Sequence, residues 1–241
     1  MKHALALLLA VLFSAAAAPA ASEPTPYPED PKAWPGQGVI RAFPYMYENR
    51  KAAWAKRAER QGSVVFAGDS LVGRWTALAD DLPGVRVANR GIGSEPSRGL
   101  LFRFQEDVLD LHPKAIVMLT GTNDLTARQD IRQTLANIVD MLAMAERAVP
   151  GVPIVLCTLP PRADPKSPVD PAELNALNQR IAALADERRN VFVLDLHALL
   201  ADPDGSPHAE YFTEDRLHMT PAGQKRWRDG LLPIFKRLNI A

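Results

Sequence analysis

The chain has 241 residues, with 28 Lys+Arg against 28 Asp+Glu and a formal net charge of zero. That balance offers no basic excess for a nucleic-acid backbone, and 47% apolar with 23% charged residues is ordinary for a globular chain. The single cysteine, Cys157, excludes an intramolecular disulfide, and its apolar surroundings, Ile154-Val155-Leu156, predict a buried core thiol.

Met1-Lys2-His3 is a short basic start, residues 4–13 form an apolar run, and small residues follow. That order predicts a secretory signal peptide over 1–21, cut between Ala18 and Ser22, with an apolar core too short to anchor in a membrane. A periplasmic or secreted location is the expectation, without a stable membrane anchor. Removing this segment leaves roughly 220 residues, enough for one domain with a sizeable core. Residues 22–44 carry Pro24, Pro26, Pro28, Pro31 and Pro35 with Gly36 and Gly38, and read as an extended or mobile leader to a domain over 45–241.

Residues 45–61 mix apolar and charged residues in a helical pattern, predicting a helix against one side of a sheet. Short apolar runs then recur at 63–67, 85–88, 115–119, 153–158 and 191–195. They are apolar throughout, as strands buried on both faces of a parallel sheet are. Helical patterns separate or follow them at 96–111, 130–148, 171–188 and 220–237, with Asp170 and Thr220 as N-caps ahead of Pro171 and Pro221. The alternation predicts an α/β fold: a three-layer α/β/α arrangement on about five parallel strands. The Pro-rich stretch 160–171 reads as a long surface loop, and no internal repeat is present.

In open parallel sheets, sites form at the carboxyl ends of the strands. There the sequence places Gly68-Asp69-Ser70-Leu71, Asn89-Arg90-Gly91-Ile92-Gly93-Ser94 and Thr120-Gly121-Thr122-Asn123-Asp124, and after the last strand a loop with Asp215-Arg216-Leu217-His218. A serine hydroxyl needs a base, a group that orients the base, and donors for the oxyanion. Ser70 in a strand-to-helix turn could be exposed as a nucleophile, or could simply cap a helix. His218 just before a capped helix can face the rim, and Asp215, three residues earlier, can reach its Nδ1 and leave Nε2 as base.

Taken together, these four ordered blocks resemble the SGNH (GDSL-type) hydrolase family, over nearly all of the chain after the leader. Asn-x-Gly-Ile-Gly, Gly-Thr-Asn-Asp and Leu-His-Met-Thr-Pro-x-Gly are most similar to the branch of platelet-activating-factor acetylhydrolase catalytic subunits and bacterial small-ester esterases. The resemblance implies a flavodoxin-like fold with Ser70 as nucleophile, His218 as general base and acid, and Asp215 orienting His218. It implies an oxyanion hole from the Ser70 N–H, the Asn123 side-chain amide and a backbone N–H of the second block. Ser94 stands where that block normally has its second glycine. Either Ser94 N–H still donates, or the loop is shifted and Gly93 takes part.

Other residues have plainer expectations. Asp69 is expected to shape the turn and Asp124 to hold the Asn123 loop. Trp75 fits a pocket wall or the core, and Arg90 the site mouth or solvent. Asp195 and His197 fit structural hydrogen bonding, and His208 and His112 have no evident partner. No cluster has metal-ligand spacing and no Gly-rich phosphate loop occurs, so neither metal nor cofactor is expected. An ordinary α/β-hydrolase would have Gly-x-Ser-x-Gly, whereas position 72 is Val. The expected partner is a small-molecule or carbohydrate ester. Hydrolysis through an acyl-enzyme leads, ahead of acyl transfer to an exported polysaccharide and of a non-catalytic carbohydrate-binding module.

Overall fold

The computed structural model describes residues 22–240. The signal-peptide expectation over 1–21 therefore lies outside the described residues. Strands β1 Val64–Gly68, β2 Val87–Gly91, β3 Ala115–Leu119, β4 Ile154–Cys157 and β5 Val191–Leu194 form one parallel sheet in the order β2-β1-β3-β4-β5. The helices are α1 Pro44–Trp54, α2 Ser70–Gly73, α3 Leu78–Asp81, α4 Ser97–Asp107, α5 Thr122–Thr126, α6 Ile131–Ala148, α7 Pro171–Ala183, α8 Leu196–Leu200 and α9 Pro221–Arg237.

Every residue of β1, β3 and β4 is buried, which is why these runs are apolar throughout instead of alternating. One face is covered by α4, α6 and α7, packed in series. On the other face Trp227 of α9 meets Trp75 and Phe66, with ring centroids 5.1 and 6.5 Å away. Trp75 is thus a core residue, and its indole N–H donates to Asp81 at 2.7 Å. Asp170 and Thr220 do cap α7 and α9, accepting from Ala172 and Gly223 N–H.

The strand order is the flavodoxin-like one, with the chain stepping out from β1 to β2 and then back across to β3. Loops leaving β1 and β3 diverge at that point and open a crevice. Ser70 follows β1 and Asn123 follows β3, so the topology itself brings them to one place.

Several local expectations need correction. The second strand is not 85–88 but Val87–Gly91, so Asn89-Arg90-Gly91 belong to the sheet and only Ile92-Gly93-Ser94 form the loop. The helix expected over 45–61 ends at Trp54 and is followed by a 3-10 turn at Arg57–Arg60. The 160–171 stretch does not simply lie on the surface: Pro160, Pro161 and Asp164 are buried.

The Pro-rich leader is extended but not free. Trp34 is buried and stacks on Tyr27 at 5.4 Å, and both rings pack on Phe102 of α4. Arg98 donates to the carbonyls of Pro35, Gly38 and Trp34 at 2.8, 2.9 and 3.2 Å. Asn137 and Gln129 accept from the Gln37 and Val39 N–H groups at 2.9 and 2.7 Å. Backbone with no ladder of its own finds partners on the domain instead. The leader is a strap docked along α4 and α6, and it delivers residues 41–45 to the crevice.

Candidate active site

Ser70 begins α2 directly after β1. The preceding Asp69 is fully buried, and its Oδ1 accepts from the Leu71 N–H at 2.9 Å, closing the strand-to-helix turn. Asn89 holds that turn from beside it. Its Nδ2 donates to the carbonyls of Val72 and Trp75 at 2.8 and 3.3 Å, and its Oδ1 accepts from the Gly91 N–H at 2.9 Å. Gly91 must be glycine for steric reasons, because a Cβ there would lie 2.1 Å from Gly73 N and 2.7 Å from Asp69 O. The second block therefore packs its backbone against the serine turn.

Ser70 Oγ lies 2.9 Å from His218 Nε2, across 148 residues of sequence. His218 Nδ1 lies 2.6 Å from Asp215 Oδ2. An ionised carboxylate can only accept, so Nδ1 carries the proton and the Nε2 lone pair faces the serine. Asp215 Oδ1 accepts from the N–H groups of Leu217 and His218 at 3.0 and 2.9 Å and from the Thr213 hydroxyl at 2.8 Å. Partial burial pushes this carboxyl upward, but the bonds from His218, Leu217 and Thr213 outweigh it and hold the group well below the usual carboxylate range. The Asp-x-x-His spacing closes in a tight loop, with Arg216 in the left-handed region at φ 53°.

Ser70, Gly93, Ser94, Asn123 and His218 line one cleft of about 800 Å³. The departure at Ser94 has a definite outcome. Ser94 takes φ 62°, a conformation glycine reaches freely, while Gly93 does not have positive φ. The loop thus keeps a left-handed backbone at the second position despite the side chain. Neither Gly93 N–H nor Ser94 N–H has a protein acceptor among the described residues. Asn123 Nδ2 donates to the Glu95 carbonyl at 3.1 Å and makes a long contact of 3.4 Å with Asp69 Oδ2.

Asp124 is buried and accepts from the Ser97 N–H, Gln129 Nε2 and the Thr134 hydroxyl at 2.9, 2.9 and 3.1 Å, tying the Asn123 loop to α4 and α6. Arg90 reaches neither mouth nor solvent: it is buried and donates to the carbonyls of Asp107, Asn89 and Ala53. Asp195 caps α8 and takes the Thr158 hydroxyl. His208 does have a partner, Asp202, at 2.6 Å through Nδ1. His112 closes a 3-10 turn at φ 46°. Cys157 is a buried thiol, as its neighbours predict. Among the described residues no group of His, Cys, Asp or Glu could hold a metal ion.

Two features were not visible in the sequence. Arg41 and Phe43 of the strap and Tyr45 of α1 line the same cleft. Beneath it, buried Arg103 binds Glu95 through Nε and Nη2 at 2.8 and 2.7 Å and donates to the carbonyls of Gly68 and Arg90 at 3.2 and 2.7 Å. Neither has a local signal, since both depend on contacts between distant segments.

The fold is a flavodoxin-like sheet that carries a serine–histidine–aspartate relay at the carboxyl ends of its strands. Residues 57–226 match the GDSL-like lipase/acylhydrolase family, most of the chain, and the protein belongs to that family. It is an ester-hydrolysing enzyme. Among solved structures, a protein assigned as an acylhydrolase from Bacteroides fragilis is 26% identical, with a TM-score of 0.69 over 80% of this chain and 97% of its own. A GDSL-like lipase from Bacteroides thetaiotaomicron is 23% identical, TM-score 0.69, over 78% and 97%. An acetyl xylan esterase from Geobacillus stearothermophilus shares the fold at 19% identity, TM-score 0.56, over 75% and 97%. No curated protein matches.

Proposed function

We propose that the protein is a serine esterase that cleaves small, acetyl-like acyl esters of carbohydrate, lipid or aryl alcohols through an acyl-enzyme. The observation that carries this reading is the relay of 2.9 Å from Ser70 Oγ to His218 Nε2 and 2.6 Å from Nδ1 to Asp215. Ser70 Oγ attacks the acyl carbon as Nε2 takes its proton, and the carbonyl oxygen becomes the oxyanion. The Ser70 N–H, Ser94 N–H and Asn123 Nδ2 receive that charge. His218 then passes the proton to the leaving alkoxide, and the alcohol departs. Water, deprotonated by His218, attacks the acyl-serine; the second oxyanion collapses, Ser70 regains its proton and the acid leaves. Asp215 keeps the tautomer in place and offsets the imidazolium charge.

Polar groups on the cleft wall, Asp164 and Ser167, together with the exposed Phe43 ring, suit a polyhydroxylated alcohol with a ring to stack. Action in the periplasm or the medium is supported by the basic, apolar, small-residue order at the N-terminus. Two measurements test the proposal. A serine-reactive phosphonate should label folded protein at Ser70; no labelling would sink the nucleophile assignment. An acyl-length series of aryl esters, run with and without sugar acceptors, should show fastest turnover for acetyl and free acid as product. A product dominated by acylated sugar would make the enzyme a transferase.

A further inference from the structure

The strap and α1 precede the stretch that matches the family, residues 57–226, yet two of their side chains grip the loops beside Ser70. The Tyr45 hydroxyl donates to the Gly93 carbonyl at 3.1 Å. The Arg41 guanidinium donates to the Ser94 carbonyl at 3.2 Å and to Asn123 Oδ1 at 3.3 Å. Each of these acceptors is one end of a rigid group whose other end bears an N–H.

The Gly93 carbonyl and the Ser94 N–H belong to the same planar trans peptide and point in opposite directions. A bond that holds the carbonyl therefore aims the N–H. Asn123 Oδ1 and Nδ2 belong to one planar amide, and a guanidinium can only donate. Arg41 thus dictates which end of that amide is oxygen and leaves Nδ2 on the other side. There the Glu95 carbonyl takes one N–H at 3.1 Å, and the other is left with only the long 3.4 Å contact to Asp69 Oδ2, which an oxyanion would displace. Ser94 supplies a reason for such bracing, because its φ of 62° is one that a residue with a Cβ adopts at a cost. Without outside support, the peptide on either side of it has lower-energy orientations available.

We propose that Tyr45 and Arg41 are positioning residues, with which α1 and the N-terminal strap hold two oxyanion donors, Ser94 N–H and Asn123 Nδ2, from behind. The proposal rests on the serine-esterase reading above. No hydrogen bond joins either side chain to Ser70; each acts through the peptide or amide it grips. Fixed donors help in proportion to the charge that develops on the carbonyl oxygen, so loosening them raises the barrier more than it weakens substrate binding.

The test uses Tyr45→Phe, which removes one hydroxyl, Arg41→Met, and as control Tyr47→Phe. Tyr47 lies on the same helix, and its hydroxyl donates to Pro24 away from the cleft. Rates on a short acyl ester are taken per folded enzyme, well below each variant's melting temperature. Deleting a whole oxyanion donor costs about 10²–10³ in kcat, and misaligning one costs less. We expect kcat to fall about fivefold to tenfold in Tyr45→Phe and more in Arg41→Met, with KM within about twofold and the control unchanged. Affinity for a tetrahedral mimic such as a trifluoromethyl ketone should fall by the same factor as kcat. Unchanged kcat in both variants overturns the proposal. So does a raised KM with kcat intact, which would mean direct substrate contact. An equal loss in Tyr47→Phe overturns it too, since docking of the strap alone would then account for the effect. Full activity of Ser70→Ala would instead remove the esterase reading itself.

Discussion

Replacing Asp215 by asparagine should be more damaging than removing its side chain. In the wild type, Oδ1 takes three donors, the N–H groups of Leu217 and His218 and the Thr213 hydroxyl, while Oδ2 faces His218 Nδ1. An amide has one oxygen, and the two backbone donors cannot turn away. Turning the amide over would forfeit those two bonds, worth roughly 1 kcal/mol each, and set NH2 against N–H. The oxygen therefore stays with the backbone, and the NH2 faces Nδ1. The imidazole must then accept at Nδ1 and carry its proton on Nε2, 2.9 Å from Ser70 Oγ. A donor there cannot take the serine proton. A wrong tautomer in such a triad lowers kcat by about 10⁴, or roughly 5.5 kcal/mol of barrier. In Asp215→Ala either tautomer remains available, and water can reach the freed N–H groups because the Asp215 side chain is 39% exposed. That variant should keep more activity, with a stability loss of about 1–2 kcal/mol. Steady-state kcat on a short aryl ester, with melting temperatures alongside, makes the comparison. An asparagine variant holding more than about a tenth of wild-type kcat, or outperforming the alanine variant, would refute the tautomer argument.

Three further predictions concern the scaffold. Gly91→Ala drives a Cβ to 2.1 Å from Gly73 N, a backbone-to-backbone clash that should cost more than about 3 kcal/mol; a denaturant midpoint equal to wild type would contradict it. Arg103→Met leaves Glu95 buried without its cation and weakens the Asp107 network. A loss of about 3–5 kcal/mol is expected, and a lowered melting temperature by roughly 10 °C is the readout; no change would mean the carboxylates find other partners. Burial pushes the Asp69 carboxyl up to about 7, with Asp124 and Glu95 reinforcing it and the Leu71 N–H opposing it. The folded state thus keeps a proton that the unfolded chain releases near its ordinary value of about 4. The stability from this group is complete below about pH 4 and is lost as pH rises through about 7. Urea midpoints at pH 5 and 8 should differ less in Asp69→Asn than in wild type, and equal differences in both would rule the linkage out.

How much was legible in advance depended on the range of each interaction. The strands at 115–119 and 154–157 stand out because burial on both faces leaves them apolar from end to end. Asp170 and Thr220 mark their helices because caps act within three residues. The second strand is hard to place from sequence because Asn89 and Arg90 look like loop residues. They sit in β2 because Asn89 bonds to the serine turn and Arg90 to the carbonyl of Asp107, partners the sequence does not put nearby.

The site divides along the same line. Asp215 and His218 meet within one short loop, so their spacing alone implies the bond between them. By itself the sequence also determined the sheet and helix alternation that puts Ser70 and Asn123 on one rim, since hydrophobic period and turn chemistry are local properties. Only the tertiary structure decided that the proline-rich leader is a docked strap, that Arg103 lies under the serine turn, and that Arg41 and Tyr45 hold the loop with Ser94 at positive φ. Those contacts join segments 8 to 100 residues apart. Their free energy comes from desolvated, mutually satisfied polar groups, and no periodicity along the chain records which donor will find which acceptor.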